Sequence, residues 1–253
     1  MDDDDLRVDS KQAEREIPAP QVAYLPPTPH GPSPGIGLVG CGGVSSFHLA
    51  AYREAGFPIV ALCSRTRAKA EARRDAFAPH AGVCGDWREL IARDDVGVVD
   101  FAVHPDERGE MIAAALNVGK HVLSQKPFVT DLEVGERLCD RADERGLRLG
   151  VNQNGRWAPH WSFIRQAIAG GVIGEVTGVH LSVQWDHTWT RGTAFDDMRD
   201  LVLFDFGIHW FDIVSCFLRE REPRRVFATR GRASGQMNKA PMLAQALIEY
   251  DDA

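Results

Sequence analysis

The sequence predicts an α/β chain in which a doubly wound parallel sheet is followed by an α+β unit built on a mostly antiparallel open sheet. Two observations carry the first half: short, continuously apolar runs of strand length recur up to Val151, and stretches of helical periodicity separate them. A third carries the second half. Beyond Val151 the texture turns to strict apolar-polar alternation, which marks a strand with one buried and one solvated face.

Asp2 to Asp5 open the chain, and seven of its 14 prolines fall between Pro18 and Pro34. Such a stretch can neither nucleate a helix nor bury a face, so residues 1–34 are expected to form an acidic, Pro-rich arm, either solvated or packed across a partner subunit. Folding proper starts at Gly35. Strands are expected at GIGLVG (Gly35 to Gly40), PIVALC (Pro58 to Cys63), VGVVDFAV (Val96 to Val103), KHVLS (Lys120 to Ser124) and LRLGV (Leu147 to Val151). The helices between them span Val44 to Glu54, Arg67 to Phe77, Trp87 to Ala92, Asp106 to Val118 and Leu132 to Arg145. Residues 35–151 thus form a doubly wound domain, and residues 152–253 a second one. There a helix from Trp161 to Ala169 leads into Glu175 to Asp186, where Val179, Leu181, Val183 and Trp185 alternate with His180, Ser182, Gln184 and Asp186. A long apolar helix (Leu201 to Leu218) and two strands (Arg225 to Arg232 and Met242 to Tyr250) follow.

Twenty-nine Lys and Arg against 36 Asp and Glu give a net charge of −7, and the basic residues are scattered, so no cationic track is available to a nucleic acid. No apolar run reaches the ~18 to 20 residues that a bilayer crossing needs, and the acidic start is the opposite of a signal peptide's. A cytoplasmic chain without a membrane partner is expected. The five cysteines are odd in number and lack a C-x-x-C pair, which favours reduced, buried thiols over disulfides or a cysteine zinc site.

The first strand delivers Gly40-Cys41-Gly42-Gly43-Val44-Ser45 straight into a helix. A dinucleotide loop needs one glycine for the tight turn, a second so that backbone can touch the pyrophosphate, and a small third residue where helix meets strand. Gly40, Gly42 and Ser45 occupy those places. At the end of the second strand, where a carboxylate would accept both ribose hydroxyls of NAD, stand Ser64 and Arg65. A hydroxyl beside a guanidinium suits a 2′-phosphate, so NADP is favoured over NAD.

Lys126 follows the Lys120 to Ser124 strand and therefore lies at a carboxyl end of the sheet, the edge where such sheets bind ligands. In the apolar helix, Asp205, His209 and Asp212 recur at spacings of four and three and so share a stripe. Burying them is expensive unless they are paired with one another or used. No metal is expected: Asp186 and His187 could join the stripe, but no ligand pattern of zinc-site type is present. Trp157, Trp161, Trp185, Trp189 and Trp210 form either plain core or a platform for sugar C–H groups.

Taken in order, the loop GCGGVSSFH, the strand end AVHP, the stretch GKHVLSQKP, the segment NQNGRWAP and the helix DFGIHWFD resemble the successive signatures of the glucose-fructose oxidoreductase, inositol dehydrogenase and rhizopine-catabolism (Gfo/Idh/MocA) family, from about Gly35 to Tyr250. The resemblance implies a Rossmann domain that holds NAD or NADP through Gly40, Gly42, Gly43, Val44, Ser45, Ser64, Arg65, His104, Pro105, Gln125 and Lys126. It implies that Lys126 matches the lysine of the family's E-K-P motif and that Asp205 and His209 match its catalytic Asp and His. His209 would then act as general base, Lys126 would stabilise the developing alkoxide, and Asp205 would orient substrate or imidazole. Asn154, Arg156, Trp157 and Asp212 are expected on the substrate side.

The implied activity is transfer of hydride between the nicotinamide and a secondary hydroxyl of a sugar, inositol or related polyol. The alternatives are an NAD-dependent glycosidase and a non-catalytic dinucleotide-binding sensor, and retention of Lys126, Asp205 and His209 together argues against the sensor. Gln125 replaces the usual Glu, His104 the usual Thr, and Asp200 to Phe204 the usual glycine run. Members of that family continue well beyond the point where this chain stops. The second domain is accordingly expected to be incomplete and the less stable of the two, with Met242 to Tyr250 as an interior strand left with an open edge, and the chain to associate as a homo-oligomer or aggregate.

Overall fold

A computed structural model describes residues 19–27, 29, 31–219 and 221–251. The expected acidic lead-in Asp2 to Asp5, with the rest of residues 1–18, lies outside the described residues. Six parallel strands form one sheet: β1 (Ile36–Val39), β2 (Ile59–Cys63), β3 (Gly82–Cys84), β4 (Val98–Phe101), β5 (His121–Gln125) and β6 (Leu149–Asn152), in the order β3-β2-β1-β4-β5-β6. The chain leaves β1 on one side and returns beyond it as β4, so the order reverses between β1 and β4.

The helices α1 (Ser45–Glu54), α2 (Arg67–Phe77), α3 (Trp87–Ile91), α4 (Pro105–Asn117) and α5 (Leu132–Glu144) alternate with these strands. Leu49 of α1 and Ala70 of α2 pack with Leu38 and Leu62 in one cluster. Ile112 and Leu116 of α4, with Leu138 and Ala142 of α5, pack with Val39, Val99 and Phe101 in another. Adjacent residues of one strand thus feed opposite cores, which is why the strands read as unbroken apolar runs. Asp86 caps α3 by accepting from Arg88 N–H, and Asp131 caps α5 by accepting from Glu133 and Val134 N–H. Beyond the five expected strands, Gly82–Cys84 adds a three-residue edge strand.

The second part holds α6 (Pro159–Ala169), α7 (Gly207–Phe217) and an antiparallel pair, β7 (Pro223–Gly231) with β8 (Leu243–Tyr250). Two expectations need correction. The run Glu175 to Asp186 forms no strand: alternation fits a pleated surface, but neither β7 nor β8 takes it as a partner among the described residues, and a segment without a ladder does not hold a strand. The helix expected from Leu201 to Leu218 is not uniform. Val202–Phe206 forms a widened π turn closed by a Gly207 N–H to Val202 O bond, and the regular helix begins at Gly207.

Within residues 19–27 of the arm, Tyr24 is fastened to α6 of its own chain. The Tyr24 carbonyl accepts from Ser162 Oγ of α6, and its ring meets Phe163 edge-on at 5.9 Å. No helix among the described residues is long and apolar enough to cross a membrane.

Candidate active site

The glycine turn lies at the point where the strand order reverses. Gly40 has φ +104°, and a Cβ there would fall 2.5 Å from the Ala102 carbonyl, so only glycine lets the exits of β1 and β4 approach this closely. At Gly42 and Gly43 a Cβ would meet nothing within 4 Å, leaving bare backbone facing open space. Ser45 Oγ donates to the Gly42 carbonyl at 2.6 Å and tightens the turn ahead of α1. A glycine-walled cradle at a helix N-terminus suits a pyrophosphate, so the residues present fit a dinucleotide.

Val44 directly precedes α1. Ser64 and Arg65 directly follow β2, where Ser64 Oγ accepts from Thr66 N–H at 3.3 Å and the exposed Arg65 pairs with Glu107 at 3.1 Å. Arg73, which the sequence did not single out, reaches over the loop from α2 and donates to Ser45 Oγ and the Gly42 carbonyl, both at 3.1 Å. His104 precedes α4 and Pro105 begins it, and the His104 ring lies 5.7 Å from that of Phe195.

Lys126 sits just beyond β5, where the Gln125 side chain folds back and its Oε1 accepts the Lys126 backbone N–H at 2.7 Å. The Lys126 Nζ crosses to the second part of the chain and donates to the Asp205 carbonyl at 2.9 Å and to Asp205 Oδ1 at 3.1 Å. Both side chains are largely buried, at 16% and 10% exposure, so this ion pair is little screened by solvent. The π turn carries Asp205, and its widened backbone offers the carbonyl together with the carboxylate.

His209 lies near the start of α7, beside Gly155, where a Cβ would come 3.7 Å from His209 Nδ1. Burial, then the Lys126 charge, lowers its pKa below the ordinary 6.5, against opposing pulls from Asp205 and Asp212. No hydrogen bond among the described residues engages its ring. Asp212 is taken by Arg156, whose Nε donates to Oδ2 at 3.0 Å and whose Nη2 donates to Oδ1, a bidentate fork. The expected stripe therefore divides: its first carboxylate goes to Lys126 and its second to Arg156.

Asn154 and Trp157 bound the short turn that also carries Arg156, and the Arg165 guanidinium lies 4.8 Å over the Trp157 ring. The tryptophans divide as well. Trp161 and Trp210 pack edge-on at 6.3 Å, whereas Trp185 and Trp189 are exposed and flank His187, which stacks on Phe206 at 3.7 Å.

Arg108 of α4 is a further residue the sequence did not reveal. It is 1% exposed and donates to the carbonyls of Val103 and Pro127, each at 2.6 Å, and to Ser124 Oγ at 3.2 Å. Burial pushes its pKa down to about 10, against the pull of Asp100 and Asp205. It fastens the turn after Lys126 to the exit of β4.

Residues 35–153 match the family described as the GFO/IDH/MocA oxidoreductase family with an NAD-binding Rossmann fold, and residues 161–253 match the GFO/IDH/MocA C-terminal domain. Inositol 2-dehydrogenase of Gluconacetobacter diazotrophicus is 31% identical over 149 residues, covering 58% of this chain and 44% of the relative. D-apiose dehydrogenase of Paraburkholderia graminis is 27% identical over 178 residues, covering 70% and 47%. The chain thus spans about half the length of the curated relatives it matches. Among solved structures, scyllo-inositol dehydrogenase of Lactobacillus casei with NAD(H) and scyllo-inositol superimposes with a TM-score of 0.75 at 20% identity, covering 87% of this chain and 66% of that one. An Agrobacterium radiobacter oxidoreductase in complex with NAD+, L-tartaric acid and magnesium gives 0.74 at 20% identity, covering 85% and 63%. These two likenesses are of fold. With one family domain matched after the other along its length, the chain belongs to the GFO/IDH/MocA oxidoreductase family.

Proposed function

We propose that the protein is an NAD(P)-dependent dehydrogenase that transfers hydride between the cofactor and a secondary hydroxyl of a sugar, inositol or related polyol. The observation that carries this reading is the buried Lys126–Asp205 pair, which joins an ammonium at the carboxyl edge of the parallel sheet to the turn that leads into His209. The relatives named inositol 2-dehydrogenase and D-apiose dehydrogenase support the substrate class.

When bound, the nicotinamide serves as hydride acceptor. Gly40, Gly42, Gly43, Val44 and Ser45 would hold the pyrophosphate, Ser64 and Arg65 the adenosine ribose, and His104, Pro105 and Gln125 would border the path to Lys126. An ammonium has three donors, and Asp205 takes two of those of Lys126. The third remains for the substrate oxygen, where it stabilises the developing alkoxide. Asp205 thereby orients Lys126. His209 takes the hydroxyl proton at Nε2, since Gly155 lies against its Nδ1 side, and its depressed pKa keeps the ring an acceptor at neutral pH. Asn154, Trp157 and the Arg156–Asp212 fork border the substrate.

NADP is the favoured cofactor. An exposed pair such as Arg65–Glu107 is worth about 0 to 1 kcal/mol, so Arg65 can leave it for a 2′-phosphate at little cost. The protein is further proposed to be a cytoplasmic homo-oligomer, on the support of its five free cysteines and of the exposed Val226, Phe227, Leu243 and Leu247 on the β7–β8 pair. Sugars and inositols screened for production of reduced cofactor test the activity, and parallel titrations with NADP and NAD test the preference. Tighter NADP binding is expected, and Ser64→Asp should reverse the order. Equal curves for the unaltered protein would remove the preference, and a screen without turnover would remove the activity.

A further inference from the structure

Beneath the glycine cradle a string of buried polar groups runs from α1 to the turn that carries Lys126. His48, the fourth residue of α1, is 7% exposed, and Asp100 in β4 is fully buried. His48 Nδ1 lies 2.7 Å from Asp100 Oδ2, and Tyr52, one turn further along α1, donates its O–H to the same oxygen at 2.7 Å. Burial first, and then the Asp100 charge, pushes the Tyr52 phenol up, so its O–H stays a donor and Asp100 the acceptor.

On the far side of the ring, His48 Nε2 lies 3.1 Å from Asn152 Nδ2 at the end of β6 and 3.3 Å from Gln125 Nε2 at the end of β5. The Gln125 amide has its orientation fixed independently, because its Oε1 accepts the Lys126 backbone N–H. An NH₂ group facing Nε2 requires Nε2 to be an acceptor. The His48 proton must then sit on Nδ1, aimed at Asp100, and the ring is a neutral imidazole of one tautomer.

We propose that His48 is a positioning residue for Lys126: as a neutral Nδ1–H imidazole it holds the Gln125 amide, and Gln125 in turn holds the backbone of Lys126. This rests on the reading of Lys126 as the group that holds the substrate oxygen. The groups that bear on the ring are Asp100 of β4, Tyr52 of α1, Gln125 of β5 and Asn152 of β6, with Arg108 of α4 acting on Asp100 through its charge. A second proton, on Nε2, would set N–H against N–H. Gln125 could satisfy it only by turning its Oε1 to the ring and releasing the Lys126 N–H. The link therefore joins the helix behind the cofactor cradle to the proposed catalytic lysine, without His48 touching either ligand.

Two measurements on the full chain test this without any substrate. Long-range ¹H–¹⁵N correlation of the imidazole nitrogens, with the His48 signals assigned by their loss in a His48 variant, is expected to show the neutral Nδ1–H tautomer at neutral pH. An imidazolium or an Nε2–H ring would overturn the proposal. In His48→Leu the Lys126 backbone amide should exchange with solvent on the order of 10-fold faster, the worth of roughly one hydrogen bond. His48→Gln should restore slow exchange, since its amide can donate to Asp100 and accept from Gln125. Exchange in β1 serves as the folding control, and if the leucine variant fails it, Gln125→Leu gives the same reading from the other end of the link. Unchanged Lys126 exchange in a folded variant would overturn the positioning role. With a polyol that the parent turns over, His48→Leu should lower kcat while NADP affinity is kept. A parent that binds cofactor but turns over no polyol would remove the proposed activity, and the two substrate-free measurements would still decide the role of His48.

Discussion

Strand β1 is buried at all four of its residues, whereas β7 is exposed at eight of its nine, although both carry apolar side chains. The difference lies in what surrounds them. β1 has a strand on each side, and its residues feed a core on each face. β7 has β8 alone, and the hairpin is fastened to the rest by polar contacts: Arg230 with Asp200, Asn238 with Thr190 at 2.9 Å, and the Lys239 N–H with Asp196 at 2.7 Å. Apolar burial holds the first region in place, while fixed polar tethers orient the second. The proposed site draws Lys126 from the end of β5, in the first of these regions, and Asp205 and His209 from the π turn and α7, which precede the hairpin and are themselves backed by the buried Leu201, Ile213 and Phe217.

The strongest way to break this comparison is hydrogen exchange. Amides of β1 and β4 should open only with global unfolding, and those of β7 through local fraying, a difference on the order of 10,000-fold given about 5 kcal/mol or more of global stability. Equal protection in the two strands would show that the hairpin is covered in solution.

The next effect concerns the junction. Lys126→Ala and His209→Ala should each lower turnover by roughly 100-fold to 10,000-fold while cofactor binding persists, because neither side chain belongs to the Gly40–Ser45 cradle. The pH profile sharpens this. A base whose pKa is depressed stays neutral as pH falls, so the acid limb of kcat/KM should lie below pH 6.5, and Lys126→Met should move it upward by removing a nearby positive charge. A limb that stays in place would place the proton elsewhere.

The smallest effect compares two phenylalanines by chemical denaturation. Phe101→Ala, in the fully buried end of β4, should cost about 3 to 5 kcal/mol. Phe227→Ala, in β7 at a residue that is 55% exposed, should stay within about 0.5 kcal/mol. Similar costs would mean that Phe227 is buried in an assembly.

The same contrast explains what could be read before the structure. Strands of a parallel sheet set between helices read as mostly apolar runs, so β1, β2, β4, β5 and β6 were legible, whereas β3, at three residues on the sheet edge, is too short to stand out. Alternation from Val179 to Trp185 specifies faces but not a partner, which only tertiary structure supplies. Lys126, Asp205 and His209 stood out because strand ends and polar residues in apolar helices are visible in one dimension. Arg108 did not, since it lies in PDERGEM, a stretch that reads as a solvated first turn. His48, Asn152 and Tyr52 meet only across α1, β4 and β6. The π turn before Gly207 left no periodic trace either.

Arg108 also bears on which changes a lineage carrying this fold can accept. Its planar fork reaches the Val103 and Pro127 carbonyls at once, and lysine, a single point charge, cannot reproduce that span. The turn after Lys126 is thereby locked to the exit of β4, and substitutions there disturb the proposed cofactor path and the proposed catalytic lysine together. Trp185 and Trp189, which flank His187, are exposed and lie outside this joint. Divergence should therefore accumulate around these two rings, while the β4 and β5 exits change slowly.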